Sequence, residues 1–556
     1  MALETIGQIE IEEGLPYPEI NGEWGKIART ASASYLIVDF TENNLDEAIE
    51  LTKKTGLKYL YHGGPFENWG HFDLQKEAFP DNWESMKRCV EKAKKHGIYL
   101  GVHILSNFIT TNDPYVSPIP DKRLAEVGAS VLTKDIEEKV KEIFIEDPTF
   151  FNQMENNSLH AVVVGGEIIR YAEVSDNEPW KLIDCARGAF GTTASAHKKG
   201  DEIGKLMDHP YKTFLTNNEL SEEMAKTIAR LFNETGLRQI SFDGLEGNWS
   251  TGMGQYGRQR FVKIWYDNLK PELQGKIIND ASNPGHYFWH IYTRMNWGEP
   301  WYAGFRESQT QYRLNNQRLF RRNFMPGMLG WFRMTNETSL EDIEWLLARA
   351  AGFDAGFALV TDPKTVRENG LGEKILSIIN EWETARMSEV FSPEQKKEFE
   401  EIRNEYHLEK VEEGKWKFYP IENQIYTHDK KEKQPGEPVF STFIYENPYD
   451  KQNMQFIITV GGDCEISNLN IELDNYESIT IPFTLKNRQI LKYTGGNEFI
   501  IYDKNWNIIS VEKTKQLLIS NGEHSVKFDC KFSGGEKPVV KLEIKTIGEP
   551  TLITIK

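Results

Sequence analysis

Cysteine is scarce in this chain: Cys89, Cys185, Cys464 and Cys530 are the only four among 556 residues, too far apart for a metal-ligand spacing or a dense disulfide framework. Long apolar runs are missing as well. Nothing approaches the ~20 residues needed to cross a bilayer, so no membrane span is expected. The start, Met1-Ala2-Leu3-Glu4-Thr5, lacks the charged and apolar regions of a secretion signal. That leaves a cytoplasmic chain, or a periplasmic, cell-surface or secreted one whose signal peptide has been removed. Basic charge is in deficit, 65 Lys and Arg against 84 Asp and Glu for a formal net charge of −19, a field that repels polyanions and argues against a nucleic-acid partner. Three kinds of catalytic machinery are absent too: a phosphate-cradling Gly-rich loop with its Lys, a His-Glu-x-x-His zinc helix and a Gly-x-Ser-x-Gly elbow. No metal and no cofactor is expected, and no feature sets an oligomeric state.

What the chain does have is aromatic mass, 12% of residues with 14 Trp, 22 Tyr and 30 Phe, enough for large buried cores. Residues 1–32 read as an N-terminal segment. From 33 to 124, short apolar runs at Tyr35–Phe40, Leu57–Tyr61 and Ile98–Ile104 alternate with amphipathic helices, the signature of a parallel sheet. Between 125 and 210 the rhythm changes to short strands joined by Gly-bearing turns, as in Ala161–Ile169 and Trp180–Gly188, which predicts an inserted β-rich domain. Within it, Arg187–His197 resembles a recurring β segment of phage tail proteins, and His197 reads as a turn or surface residue. Alternation resumes over 211–405 with runs at Gln239–Asp243, Lys276–Asp280, His290–Arg294, Gly327–Phe332 and Gly356–Val360. Eight β/α units with one interruption predict a (β/α)8 TIM barrel, α/β in class. Residues 406–556 then read as a C-terminal β-sandwich.

Such a barrel places its chemistry at the C-terminal ends of the strands. Those ends here are Asp39, His62-Gly63-Gly64, His103, Asp243-Gly244-Leu245-Glu246, Asp280, the stretch from Arg294 to Glu299, Arg333 and Asp362. Carboxylates dominate, and the adjoining loops carry Trp69, Trp249, Trp297, Trp301 and Trp331. Two carboxylates facing across a pocket with aromatic faces for sugar rings are the components of glycoside hydrolysis: one protonates the leaving oxygen, the other attacks or activates water.

Three stretches, Gly70-His71-Phe72-Asp73-Leu74, Phe79-Pro80-Asp81-Asn82 and Lys95-His96-Gly97-Ile98-Tyr99-Leu100-Gly101-Val102, resemble the region of melibiase-type α-galactosidases and their clan in which an FP-x-G turn opens a helix that ends in a KG-x-x-x-G strand. The likeness spans roughly residues 35 to 360, apart from the insertion. It implies that Asp243, closing the strand Ile240-Ser241-Phe242-Asp243, is the catalytic nucleophile. It also implies that Arg294 binds substrate and Glu299 is the acid/base. The chain differs from the clan at two places: His62-Gly63-Gly64 stands where the clan has paired Asp residues, and no Lys lies two residues before Asp243. The resemblance therefore carries no particular sugar with it.

The expectation is a retaining exo-acting α-glycosidase on an oligo- or polysaccharide, with Asp243 and Glu299 catalytic. Substrate contacts are expected from His62, Trp69, His103, Glu246, Trp249, Asp280, Arg294, Trp297, Trp301, Trp331 and Arg333. Asp280 and Glu246 are rival carboxylates for a catalytic part. A non-catalytic carbohydrate-binding protein and a lyase acting on an acidic glycan beside Arg294 or Arg333 are the alternatives.

Overall fold

The computed structural model describes residues 2–153, 155, 157–282, 288–296, 304–307, 310–430, 434, 436–535 and 537–555. The chain forms two compact units, one of residues 1–49, 58–298 and 311–330, the other of 50–57, 299–310 and 331–556. The strands that bear on the site are β1 (Tyr35–Ile37), β2 (Tyr59–His62), β3 (Tyr99–Leu105), β4 (Phe108–Thr110), β5 (Asp208–His209), β6 (Thr213–Leu215), β7 (Gln239–Asp243), β8 (Ile278–Ala281), β9 (Met328–Arg333) and β10 (Gly356–Val360). Seven of them share one sheet in the order β8-β7-β3-β2-β1-β10-β9. The pairs β1/β2, β2/β3, β3/β7 and β7/β8 are parallel. Apolar residues with no exposed side, such as Leu36, Leu60, Leu100, Ile240 and Ile278, make these strands buried on both faces, as a parallel sheet under helices requires.

The helices between them start and stop where local chemistry dictates. The Asn217 side chain accepts a bond from Leu220 N to open the helix Asn218–Thr235, and Gly236 closes it at φ +77°. Ser339 does the same for Leu340–Phe353 by accepting from Asp342 N.

The strand expected at His290–Arg294 is not one. It is replaced by a turn and a single parallel bridge, Met295 to Gly327. Side chains take over from the ladder: Asn279 N donates to Thr293 Oγ1 (3.0 Å), Thr293 N to Asn279 Oδ1 (2.9 Å) and Asn279 Nδ2 to Ile291 O (2.7 Å). With Asn296 N donating to Ala281 O and Met295 N to Pro326 O, this irregular segment links β8 to the residues just before β9 and supplies the eighth stave of a TIM-type barrel.

Residues 126–206 form two antiparallel sheets of four and three strands around their own core of Leu132, Ile143, Val162, Ile169, Leu182 and Ile203. His197 is inside, not at the surface: it is 8% exposed, and its Nε2 lies 2.8 Å from Glu167. The reason is charge. Glu167 is fully buried and gathers Arg187, Gly188 N, Ser195 N and His197 around one carboxylate. The insertion leaves the barrel through β4 and returns through β5 and β6, which pair in the order β5-β6-β4.

Residues 405–554 make an eight-stranded and a four-stranded antiparallel sheet. Their inner faces share one core, with Phe456, Leu491, Leu542 and Ile544 from the first and Ile471, Ile479, Val526 and Phe528 from the second, which is a β-sandwich.

Candidate active site at the ends of the barrel strands

Register decides which side chains meet. His103, Ser241 and Asp280 pair directly across β3, β7 and β8 and so share one face. Two residues further along on the same face come Asp243 and, just past β8, Ser282. Asp243 is 23% exposed at its side chain. Its Oδ1 accepts bonds from Ser282 Oγ (2.5 Å) and Gly244 N (2.8 Å), and its Oδ2 lies 3.8 Å from His103 Nε2. The turn bond to Gly244 is the local one that Asp-Gly commonly makes. Gly244 has φ +67°, where a side chain is strained, and a Cβ there would crowd Phe108 and Leu105, so glycine suits the position after the carboxylate. Burial pushes the His103 pKa down against the pull of Asp243 and Asp280, so a neutral imidazole faces the carboxylate.

One layer deeper, Asp280 and Arg294 are both fully buried and joined at 2.8 Å through Nε. Arg294 Nη1 also donates to the carbonyls of Ala33 (2.9 Å) and Ala31 (3.2 Å), and the guanidinium lies over the Tyr35 ring. Burial raises the Asp280 pKa, and Arg294 opposes that. The pair ties β8 to the N-terminal residues and the guanidinium points at backbone rather than outward.

His62 is also pinned. It is 4% exposed, its Nδ1 accepts from Gly64 N (3.1 Å), and its ring packs edge-on against Phe40. Burial lowers its pKa, with Asp39 at 3.4 Å and the Phe40 carbonyl acting the other way. Asp39 in turn accepts from Gly63 N at 3.1 Å and keeps its side chain 75% exposed, which puts a second strand-end carboxylate on view.

The loop after β7 is a 3-10 segment, Leu245–Thr251, carrying Glu246 and Trp249. Buried polar groups hold it in place. Ser106 Oγ donates to Gly244 O, Asn107 Nδ2 to Gly247 O and Thr216 Oγ1, and Asn248 bridges Ser106 and Ser221. Trp249 is left 40% exposed on this rigid support. Trp69 is half-buried against Leu105, Phe108, Met207 and Leu215, so it serves as packing in the wall.

Trp331 and Arg333 lie on β9, the first half-buried and the second exposed. Trp297, Glu299 and Trp301 lie outside the described residues. Three residues missing from the sequence expectation belong here. Ser282 was legible in principle, since it follows Asp280 by the two-residue period of a strand. His209 and Tyr211 had no local signal: they arrive on the returning ribbon of the insertion. His209 lies within electrostatic reach of Glu246 and Asp243, and burial nonetheless holds its pKa down. Among the described residues no cluster of His, Cys, Asp and Glu could hold a metal ion, and no helix is long and apolar enough to cross a membrane. A cleft of about 330 Å³ opens at the other end of the barrel, lined by Tyr99, Arg238 and Lys276 at the strand starts and by Lys94 at a helix end, away from Asp243.

No protein-family model matches the chain, and no curated protein does. Solved structures similar to it include a family 27 β-L-arabinopyranosidase from Geobacillus stearothermophilus, at 9% identity and a TM-score of 0.37, over 90% of this chain and 97% of that one. A family 36 α-galactosidase from the same organism matches at 8% and 0.37, over 90% and 55%. A trehalose-6-phosphate hydrolase from Bacillus licheniformis matches at 8% and 0.39, over 91% and 99%.

Proposed function

We propose that the chain is a retaining exo-acting α-glycosidase with Asp243 as nucleophile and Glu299 as acid/base. The observation that carries this is the asymmetric holding of Asp243. Two neutral donors fix Oδ1, while Oδ2 stands at the strand end beside a neutral imidazole. A carboxylate held by neutral donors loses its rotational freedom, which favours nucleophilic attack. Oδ2 would bond to the anomeric carbon as the glycosidic C–O bond breaks. The leaving oxygen takes a proton from the Glu299 carboxyl, and the same group then deprotonates the water that releases the sugar. The exo and α parts of the reading come from the clan resemblance.

The test is a panel of aryl α- and β-glycosides with plant and microbial polysaccharides, recording the anomer of the first product. Retention is expected, along with loss of turnover in Asp243→Ala. Azide added to that variant should restore cleavage and give a glycosyl azide of inverted configuration, because the small anion occupies the space of the missing carboxylate. Full activity in Asp243→Ala, or an unsaturated ultraviolet-absorbing product, would overturn the assignment.

A further inference from the structure

The inserted β-rich segment departs between β3 and the helix Asn218–Thr235 and returns against β4, next to the loop that follows Asp243. Its returning hairpin is short and fixed. β5 and β6 pair at Asp208 with Phe214 and His209 with Thr213, and the three-residue turn between them carries Tyr211 at its centre. Lys212 N donates to His209 O (2.9 Å), with Lys212 in the left-handed region at φ +60°, so the turn is closed by backbone. Tyr211 N also donates to His209 Nδ1 (3.3 Å), which assigns the ring proton of the neutral imidazole to Nε2.

Three rings cluster on this ribbon, each within 6.0 Å of the other two. Phe108 on β4 is fully buried, with His209 at 4.5 Å and Tyr211 at 6.0 Å from it, and His209 and Tyr211 are 4.8 Å apart. The buried member of the cluster is seated on the loop that carries Glu246: a Cβ on Gly247 would come within 2.2 Å of Phe108 Cε1. The outermost ring, Tyr211, is 58% exposed. A large ring exposed to water yet fixed in position by a closed turn, at the edge of a carboxylate-bearing site and with exposed Trp249 on the same loop as Glu246, has the form of a platform for the apolar face of a sugar ring.

We infer that the insertion supplies a carbohydrate-binding wall to the Asp243 site, in which Tyr211 stacks on a sugar unit beyond the one cleaved and His209 Nε2 donates to one of its hydroxyls. This rests on the glycosidase reading and deepens it. The wall makes the enzyme select oligosaccharides over simple aryl glycosides, because only a longer glycan reaches Tyr211. It also gives the insertion a function: it delivers specificity from outside the barrel.

The experiment compares the full-length protein with Tyr211→Ala and Tyr211→Trp. For each, kcat/KM is measured on whichever p-nitrophenyl glycoside the wild type cleaves and on tri- to hexasaccharides ending in that sugar. Binding to an array of plant and microbial oligosaccharides is recorded in parallel. The ratio of kcat/KM on oligosaccharide to that on aryl glycoside should fall roughly tenfold in Tyr211→Ala, through KM, and recover in Tyr211→Trp. An unchanged ratio, or equal losses on both substrates, overturns the wall while leaving the hydrolase reading intact. If the wild type cleaves nothing but binds array glycans, and Tyr211→Ala loses that binding, the wall stands and the hydrolase reading falls. Neither cleavage nor binding by the wild type overturns both.

Discussion

The end of the barrel and the layer just beneath it hold two aspartates on neighbouring strands, and the two environments are opposite in kind. Asp280 is sealed off, and its charge is met by the buried cation of Arg294, which is committed in turn to the carbonyls of Ala31 and Ala33. Asp243, on the same face and one side-chain step closer to the strand ends, is met among the described residues by neutral donors and keeps part of its surface in water. A buried carboxylate matched by a cation is spent on holding elements together. One oriented by a hydroxyl and a backbone N–H is positioned to meet a reacting carbon. The contrast separates two residues that sequence position alone ranks as rivals, and it assigns them different work.

The comparison breaks first at Asp243. Asp243→Ala is expected to lower kcat by at least about 10³-fold, with the thermal unfolding curve little changed, since few buried groups depend on it. Asp280→Ala should do the reverse in its primary effect. It leaves Arg294 charged and unmatched in the interior, at a cost of about 3–5 kcal/mol read from urea unfolding, and any fall in activity follows that loss. Equal stability losses in the two variants would erase the distinction between the layers. A smaller effect sharpens it: Ser282→Ala removes one of the two donors to Oδ1 and should lower kcat about tenfold, as expected for a lost bond to a charged group.

The smallest effect concerns protons. Burial depresses the pKa of His62 and of His103, so the folded state takes up a proton less readily than the unfolded chain, where histidine titrates at about 6.5. Stability is therefore lost as pH falls below about 6.5 and is fully present above it. The drop in melting temperature between pH 7.5 and 5.5 should shrink in His62→Gln, which keeps a side chain able to bond Gly64 N without titrating. An unchanged drop would show that His62 is not part of that acid sensitivity.

Much of the architecture can be read along the chain. The runs at Gln239–Asp243 and Gly356–Val360 match observed strands because apolar, β-prone residues bounded by glycine or charge have few other stable conformations. The run at His290–Arg294 also reads as a strand but forms a turn, because Asn279 and Thr293 satisfy each other's backbone through side chains and no periodicity reports that. His197 was misplaced for a related reason: a buried Glu167 some thirty residues away draws it inward, and that partner is invisible from its neighbours in sequence.

By itself, then, the sequence determined the alternation of strands and helices, the break in that alternation, the terminal sandwich and the position of Asp243 at a strand end. These are local properties, written in hydrophobic period and turn chemistry over a few residues at a time. The meeting of Asp243 with Ser282 and a neutral His103, of Asp280 with Arg294, and the return of His209, with Tyr211 against it, within electrostatic reach of Glu246 after an excursion of about a hundred residues, come from the folded structure alone. Those outcomes depend on the register of parallel neighbours and on where a long insertion re-enters, and both are set by packing between segments far apart in the chain.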